Sequence, residues 1–364
     1  MINTNMLNKV FEVNGQLYYI LHNMEYPCLS LMELSGLLGK NVIIEALTGV
    51  FITNNIDIEK LKKSIAMSSC LKEAGLVLRV KGQEDWKEKI NELEACRDIR
   101  ITIRRVGGIG RQINKQQIIS YFKKSYPGKI VLEAKKPEIK EDTCNLSIII
   151  TDGVIIYGIP IYYQGKSKLL SINPHDLPYY SPGALNPWFS RLLTNIAGLE
   201  KGVLLDPFCG TASIPTWASS NYHTIICGDI NPVHCKGGLA NYSWLHGFDS
   251  KINIVRWDYN YLPMREASID AIVTDLPYGR SVRSRGTSEE ELAERFFKTF
   301  CYYLKNNGVT VVSISEDLYK FYKQSLCYLD SKCLMFIHNK LSRVILRFVK
   351  KTQQVDPSSL IRQG

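Results

Sequence analysis

Short apolar segments separated by polar turns run through the first 165 residues. Gly15–Leu21 and Val42–Ile52 alternate with short helical patterns. Further apolar segments predict strands at Leu76–Val80, Ile99–Arg104, Leu146–Ile150 and Val154–Tyr162. The last two flank a Thr-Asp-Gly turn, which is typical of a β-hairpin. Asn114–Tyr126 predicts a helix, because its apolar residues recur at helical spacing. This mixture predicts an α+β fold for the N-terminal half.

The pattern changes near residue 200 to a regular alternation of strand and helix. A helix is predicted at Trp188–Ala197, and Ser288–Glu291 has the capping-box pattern of a further helix start. Apolar segments predict strands at Val203–Leu205, Thr224–Cys227, Ile252–Val255, Ala271–Thr274, Val309–Ser313 and Val344–Phe348. Alternation of this kind predicts a parallel sheet covered by helices.

Two segments lack either pattern. Residues 166–187 are rich in Gly, Ser, Pro and Asn, so we interpret them as a linker. Residues 352–364 are polar and predict a flexible tail. The sheet domain is therefore expected to span residues 188–351.

Composition narrows the class of protein. Lys and Arg number 45 against 35 Asp and Glu, and the resulting charge of +10 favours a nucleic-acid partner. We find no apolar stretch long enough to span a membrane and no secretory signal, so we expect no membrane partner. The ten cysteines form no CxxC pair, which predicts reduced, mostly buried thiols in a cytoplasmic protein. His223, Cys227, His234 and Cys235 match no tetrahedral zinc spacing, so no metal site is predicted.

The charge is concentrated between Cys96 and Lys129, where nine basic residues face one acidic residue. The run Arg104–Arg111 combines three arginines with three glycines, so that guanidinium and backbone amide groups can both approach a phosphate. A solvated basic face is the alternative interpretation.

Four consecutive strands of the second half end in an aspartate: Asp206, Asp229, Asp258 and Asp275. In an open α/β sheet, ligands bind beyond the carboxyl ends of the strands, near the point where the strand order reverses. Each residue taken alone is explained equally well as a turn or N-cap residue. Together they predict a ligand site at one edge of the sheet.

These motifs resemble the class I S-adenosylmethionine-dependent methyltransferases that methylate exocyclic amines. Asp206–Thr211 is similar to their first cofactor motif, and Asp275–Tyr278 to their motif Asp-Pro-Pro-Tyr. The resemblance implies S-adenosylmethionine as cofactor, with Asp229 on its ribose and Asp258 near its adenine. The implied cofactor-binding residues are Asp206, Phe208, Gly210, Thr211, Asp229, Ile230, Trp257 and Asp258.

The second motif has a chemical logic. The Asp275 carboxylate and a backbone carbonyl near Leu276 and Pro277 can accept the two hydrogens of an exocyclic amine. The nitrogen lone pair is then directed toward the methyl donor, and Tyr278 offers a ring on which an extruded base stacks. We therefore predict catalytic roles for Asp275, Leu276, Pro277 and Tyr278.

The segment Pro178–Pro187 and the ending Asp275–Ser281 resemble the archaeal and eukaryotic tRNA guanine-N2 methyltransferases that act at position 10. That family implies a ferredoxin-like part at residues 1–60 and a THUMP RNA-binding domain at 61–165, ahead of the Rossmann-like methyltransferase domain. It implies tRNA as partner and, for some members, a small zinc-binding activator protein. The candidate RNA-binding residues are Arg104, Arg105, Arg111, Lys115, Lys123, Lys124, Arg280, Arg283 and Arg285.

The chain departs from the family pattern at three positions. Ala212 and Ser213 stand where two glycines are usual, and Leu276 replaces a proline. These departures motivate one alternative function, a non-catalytic THUMP RNA-binding protein with a degenerate cofactor site. The amine-methylating motif does not by itself distinguish guanine from adenine. An amine methyltransferase acting on ribosomal RNA or adenine is therefore a second alternative.

Overall fold

The fold is described from a computed structural model. The structure describes residues 16–107, 113–126, 128–132, 144–165, 171–199, 201–218, 222–248, 251–277, 288–322, 327–338 and 341–351. The chain forms two compact units, residues 1–165 and 166–364. Each unit is described by itself. In the described part of the chain, no helix is both long and apolar enough to cross a membrane.

The first unit is built on one eight-stranded sheet with the order β2-β3-β1-β4-β8-β7-β5-β6. Its strands are β1 (Leu17–His22), β2 (Ile43–Leu47), β3 (Val50–Asn54), β4 (Leu71–Gly82), β5 (Asp98–Arg105), β6 (Lys129–Leu132), β7 (Cys144–Thr151) and β8 (Val154–Tyr163). Its helices are α1 (Pro27–Leu38), α2 (Ile58–Met67) and α3 (Lys115–Ser125). The predicted hairpin at Thr151–Gly153 joins β7 and β8, as expected.

Burial on both sides of this sheet explains its long apolar strands. Leu34 and Ile65 of α1 and α2 pack with Ile20 of β1, whereas Phe122 of α3 packs with Ile101 of β5. A strand covered on both faces has little room for polar side chains, and all six residues of β1 are buried. The segment Val42–Ile52 is divided into β2 and β3 by a turn at Gly49, whose φ of 72° is a left-handed conformation that suits glycine.

One buried carboxylate connects four strands of the sheet. Glu73 on β4 is 1% exposed and accepts hydrogen bonds from Tyr19 on β1 (2.8 Å) and Ser147 on β7 (3.0 Å). Arg104 on β5 forms an ion pair with the same carboxylate at 2.7 Å. The Tyr19 ring reaches Glu73 across Gly75 and Gly158, where an added Cβ would lie 2.3 and 2.5 Å from the ring.

This sheet is continuous across residue 60, because β1 on one side pairs with β4 on the other. The division into a ferredoxin-like part and a THUMP domain stays a prediction. The first unit ends at residue 165, where the linker was expected to begin.

The second unit contains a seven-stranded sheet with the order β11-β10-β9-β12-β13-β15-β14. Its strands are β9 (Val203–Asp206), β10 (Thr224–Asp229), β11 (Ile252–Arg256), β12 (Ile269–Asp275), β13 (Leu304–Ser315), β14 (Cys327–His338) and β15 (Leu341–Lys350). Its helices are α4 (Pro187–Ala197), α5 (Ser213–Ala218), α6 (Pro232–His246) and α7 (Glu289–Tyr303). The aromatic residues Phe296 and Phe300 of α7 are fully buried in its core.

The prediction of a parallel sheet is confirmed for β9 to β13 and wrong for the last two strands. β15 runs antiparallel to β13, and β14, which was not predicted, runs antiparallel to β15. The predicted capping box is confirmed, since the Ser288 hydroxyl accepts from the Glu291 amide and the Glu291 carboxylate accepts from the Ser288 amide. The resulting order, with β9 central and β10 and β12 on either side, is that of a Rossmann-like sheet.

The prediction of reduced cysteines is wrong for six residues, because Cys28, Cys96, Cys144, Cys301, Cys327 and Cys333 are disulfide-bonded. Cys96 is bonded to Cys144 in the first unit, and Cys301 to Cys327 in the second. Cys209 and Cys227 are buried thiols whose sulfur atoms lie 2.6 Å apart.

Candidate active site

A cavity of about 400 Å³ lies at the carboxyl ends of the parallel strands in the second unit. In the sheet, β10 is the neighbour of β9 on one flank and β12 is its neighbour on the other flank, so the strand order reverses at β9. Open α/β sheets bind ligands at the carboxyl ends of the strands beside such a switch point. All eight predicted cofactor-binding residues line the cavity. Asp275 and Pro277 of the predicted catalytic motif line it as well.

Asp206 ends the central strand and is 1% exposed. Its Oδ1 atom accepts hydrogen bonds from the Thr274 hydroxyl (2.7 Å) and the Phe208 amide (3.2 Å). Burial raises the pKa of Asp206 to about 7, although these two donors oppose the shift. The side chain is therefore a buried acid that changes charge near neutral pH.

Asp229 connects β10 to the turn that follows β9. Its carboxylate accepts from the amides of Gly210 (3.2 Å) and Asn231 (2.7 Å). Nδ1 of His234 lies 3.4 Å from the same carboxylate. Gly210 has a φ of 52°, and a Cβ added there would meet no atom within 4 Å. The turn thus presents open space beside a carboxylate.

Trp257 and Asp258 form the third side of the cavity. The indole Nε1–H of Trp257 donates to the carbonyl of Pro207 (3.0 Å), and its ring covers Gly228 so closely that a Cβ there would lie 2.5 Å away. Asp258 accepts from the Asn260 amide (2.9 Å) and caps a 3₁₀ turn at Tyr259–Tyr261. Each of these carboxylates therefore has the local turn or cap contact that the alternative interpretation described, and each also lines the cavity.

The expected linker contributes to the site, because Ser181–Leu185 lines the cavity. Asn241 on α6 holds the neighbouring residue Tyr179 through both of its backbone groups, at 2.9 Å each. The same amide also donates to the Thr211 carbonyl (3.2 Å). This 1% exposed asparagine thus connects the segment before α4 to the turn after β9. Asn241 was not among the predicted site residues, because a polar residue within a helix does not by itself indicate a functional site.

Asp275 ends β12 beside the cavity and forms an ion pair with Arg343 of β15, with Nη1 3.3 Å from Oδ1. Burial raises the pKa of Asp275, and the Arg343 guanidinium and the Ser313 hydroxyl oppose that shift. The guanidinium carbon also lies 5.2 Å from the centre of the Phe189 ring. Arg343 was missed because its contact depends on the antiparallel pairing of β15.

The remaining residues of the catalytic motif differ in position. Leu276 is fully buried, and its amide donates to the Ser313 carbonyl at 2.9 Å. It does not contribute to the cavity lining, whereas Pro277 does. Tyr278 lies outside the described residues, as do Arg280, Arg283 and Arg285.

The departures in the first motif have a local structural consequence. Ala212 has a φ of 60°, a left-handed conformation that disfavours any residue with a Cβ. Its buried backbone amide donates to the Cys209 carbonyl (2.9 Å), which completes the tight turn. Ser213 begins α5, and its hydroxyl lies 3.0 Å from that of Thr211. The turn is therefore formed, at a cost in backbone strain of about 1–2 kcal/mol.

The predicted RNA-binding residues of the first unit fall into two groups. Lys115, Lys123 and Lys124 are exposed on α3, and Arg105 is exposed at the end of β5. Arg104 instead forms an ion pair with Glu73 and donates to the Ser147 hydroxyl within the sheet. Its guanidinium is therefore engaged by the protein, and a phosphate contact for it stays a prediction. Arg111 lies outside the described residues.

A Rossmann-like sheet with carboxylates gathered at its switch point defines the second unit as a class I methyltransferase domain. Residues 174–345 match the family UPF0020, described as an RMKL-like methyltransferase domain. This part of the chain is similar to that family of domains. The cofactor of this class is S-adenosylmethionine.

Named relatives are similar over 37% to 72% of the chain. The tRNA (guanine(10)-N2)-dimethyltransferase of Methanothermobacter thermautotrophicus is 26% identical over 265 residues, which is 72% of this chain and 74% of that protein. The enzyme of the same name from Methanocaldococcus jannaschii is 31% identical over 48% of this chain and 53% of its own length. The human tRNA (guanine(6)-N(2))-methyltransferase THUMP3 is 27% identical over 37% of this chain and 28% of its own length.

Among solved structures, TrmN from Thermus thermophilus resembles this chain with a TM-score of 0.51. The match covers 92% of this chain and 99% of that one, at 15% sequence identity. It shows that the two proteins share a fold.

Proposed function

We propose that this protein transfers methyl groups from S-adenosylmethionine to the exocyclic N2 amine of a guanosine in tRNA, at position 10. The observation that carries the proposal is the position of Asp275, which lines the same cavity as the cofactor carboxylates. The position-10 assignment is supported by the printed activity of the two archaeal relatives.

The cavity fits the proposed cofactor in size and in chemistry. A volume of about 400 Å³ is within the range of small-molecule sites. Asp229 is placed to accept hydrogen bonds from ribose hydroxyls and Asp258 from the adenine amine. Gly210 leaves the space beside the turn open. When bound, the cofactor supplies a positively charged sulfonium whose methyl group is transferred.

The chain's own residues prepare the amine. Its nitrogen is a weak nucleophile because the lone pair is delocalised into the purine ring. The Asp275 carboxylate accepts one N–H, and so orients the lone pair and stabilises the positive charge that develops on nitrogen. Pro277 restricts the backbone beside it. Because Leu276 is buried against the sheet, its position is fixed by packing although it lacks the proline ring.

The first unit supplies charge for a folded RNA. Lys115, Lys123 and Lys124 project from one helix, where they are free to approach phosphates. Arg105 lies at the neighbouring strand end and donates to the Ile113 carbonyl. We propose that this exposed set contacts the tRNA backbone, as a THUMP domain would. Arg111, Arg280, Arg283 and Arg285 belong to the same proposal.

Nucleoside analysis tests the proposal directly. Unmodified tRNA transcripts are incubated with isotope-labelled S-adenosylmethionine, digested, and examined by mass spectrometry, with the Asp275→Asn variant as control. We expect labelled N2-methylguanosine or N2,N2-dimethylguanosine from position 10 with the natural chain only. Methylated adenosine, or a product from ribosomal RNA alone, would contradict the proposal.

Calorimetry with S-adenosylmethionine tests the non-catalytic alternative. We expect cofactor binding both with and without tRNA. RNA binding without cofactor binding would instead indicate a degenerate site. The same activity assay, performed on the purified chain alone, tests the prediction of a zinc-binding activator protein. A cytoplasmic location likewise stays a prediction.

A further inference from the structure

Burial disfavours the charged form of the Asp275 carboxylate. Its side chain is 14% exposed, and burial of a carboxylate raises its pKa. The charge of Asp275 in turn contributes to the raised pKa of Asp206, although burial is the largest cause there. An amine-orienting carboxylate that took up a proton would lose an acceptor and its negative charge, so its ionisation needs support.

Arg343 provides a cation at this position. It lies on β15, opposite Ser315 of β13, and reaches Asp275 two strands away in the sheet. The side chain is 10% exposed, and Nη1 is 3.3 Å from the carboxylate. The Phe189 ring on α4 covers the guanidinium, with 5.2 Å between the ring centre and the guanidinium carbon. Arg343 is therefore buried and held from two sides.

We propose that Arg343 is a positioning residue, which keeps the Asp275 carboxylate charged and directed at the incoming amine. This inference rests on the proposed function of Asp275. Arg343 is not itself a cavity-lining residue but contacts one, Asp275, so its effect passes through that carboxylate. The Ser313 hydroxyl on β13 supports the charged form as well, but it carries no charge.

The inference has a measurable consequence for pH dependence. An opposite charge this close lowers a carboxyl pKa by about 1–3 units. Without the guanidinium, the pKa of Asp275 would rise further, so transfer would fall at low pH and recover as the pH is raised. A purely structural role would lower transfer by the same factor at every pH.

The test compares pH–rate profiles of single-turnover transfer for the natural chain and for Arg343→Gln and Arg343→Lys. In Arg343→Gln we expect the acidic limb to move up by about 1–3 pH units. Arg343→Lys restores a cation and should move the limb by less. Arg347→Gln and Arg347→Lys serve as matched controls. Arg347 lies on the same strand but forms an ion pair with Asp330 (2.7 Å), so we expect unchanged profiles.

A second readout does not require activity. The carboxyl carbon of Asp275, labelled with ¹³C and assigned with Asp275→Asn, should titrate at higher pH in the Arg343 variants than in the natural chain. An unshifted titration in a folded variant would overturn the inference even if tRNA methylation is established. If the natural chain methylates no RNA, the titration still reports on the pair, so the two failures are distinguishable. Should Arg343→Gln not fold, Arg343→Met, which also removes the cation, carries the same measurement.

Discussion

Two buried pairs of carboxylate and arginine, one in each unit, have different surroundings. Glu73 in the first unit accepts hydrogen bonds from Tyr19 and Ser147 in addition to its ion pair with Arg104 at 2.7 Å. Asp275 in the second unit has a longer ion pair, 3.3 Å, and faces a cavity. The first carboxylate is occupied by protein donors, whereas the second is exposed to whatever enters the cavity.

The difference separates a structural role from a chemical one. A fully hydrogen-bonded carboxylate holds strands together, because removing any partner leaves a buried charge uncompensated. A carboxylate whose oxygen atoms face a cavity remains available to accept a hydrogen bond from a substrate. Buried charge alone therefore does not indicate a catalytic group, and the number of protein donors on it distinguishes the two cases.

The largest expected effect is on the rate of methyl transfer and follows from replacing Asp275. Asp275→Asn keeps the shape of the side chain but removes its charge, so the developing positive charge on the amine loses its stabilising partner. We expect a loss in single-turnover rate of about 10³-fold or more. Cofactor affinity, measured by calorimetry, should change little. A rate within tenfold of the natural chain would show that Asp275 does not orient the amine.

The matching change in the first unit should act on stability. Glu73→Gln leaves the partly exposed Arg104 without its counter-charge, and we expect the free energy of unfolding to fall by about 3 kcal/mol. Chemical denaturation followed by circular dichroism measures this change. The transfer rate per folded molecule should be unchanged. An altered rate with unaltered stability would reverse the roles assigned to the two carboxylates.

Asp206 is an intermediate case, since it is buried and has hydrogen-bond donors, but no cation from the described part of the chain contributes to its pKa. Its pKa is raised to about 7, so its negative charge is present above that pH and lost as the pH falls through it. The proposed cofactor is positively charged, so its affinity should decrease by about tenfold between pH 8 and pH 6. Calorimetry at both pH values measures the change. The dependence should vanish in Asp206→Asn, and its persistence there would assign it to another group.

The smallest effect concerns the basic residues of the first unit. Lys123→Ala with Lys124→Ala should reduce the slope of log affinity against log salt by about one per lysine that contacts a phosphate. Arg104→Met should leave that slope unchanged, because its guanidinium is paired with Glu73. Filter binding of tRNA over a salt series gives both slopes. A reduced slope for Arg104→Met would show that Arg104 contacts an RNA phosphate.

Local sequence patterns were sufficient to predict the strands of the second unit except β14, and the four aspartates at or just after the ends of β9 to β12. Apolar runs determine where strands form, and in a parallel sheet their carboxyl ends meet at one edge, so Asp206, Asp229 and Asp275 were expected to lie together. The cavity confirms that these residues are gathered there. Their roles on cofactor and substrate stay predictions.

Contacts between distant strands could not be predicted in this way. Arg104 lies in a basic run that suggested phosphate binding, but its partner Glu73 is 31 residues away along the chain. Arg343 was overlooked for the same reason, since only the antiparallel direction of β15 brings it to Asp275. The paired cysteines have no spacing signal either. In each case the interaction depends on tertiary pairing that single-sequence periodicity does not contain.

The disulfide between Cys96 and Cys144 gives the first unit an unusual connectivity. It joins residues 48 positions apart and so closes a covalent ring that contains β5, α3 and β6. Loop closure of this length stabilises the folded state by about 4 kcal/mol. A protease that cut one peptide bond inside the ring would therefore linearise it without releasing either piece. The exposed lysines of α3 would stay tethered to the sheet until a reductant opened the second connection.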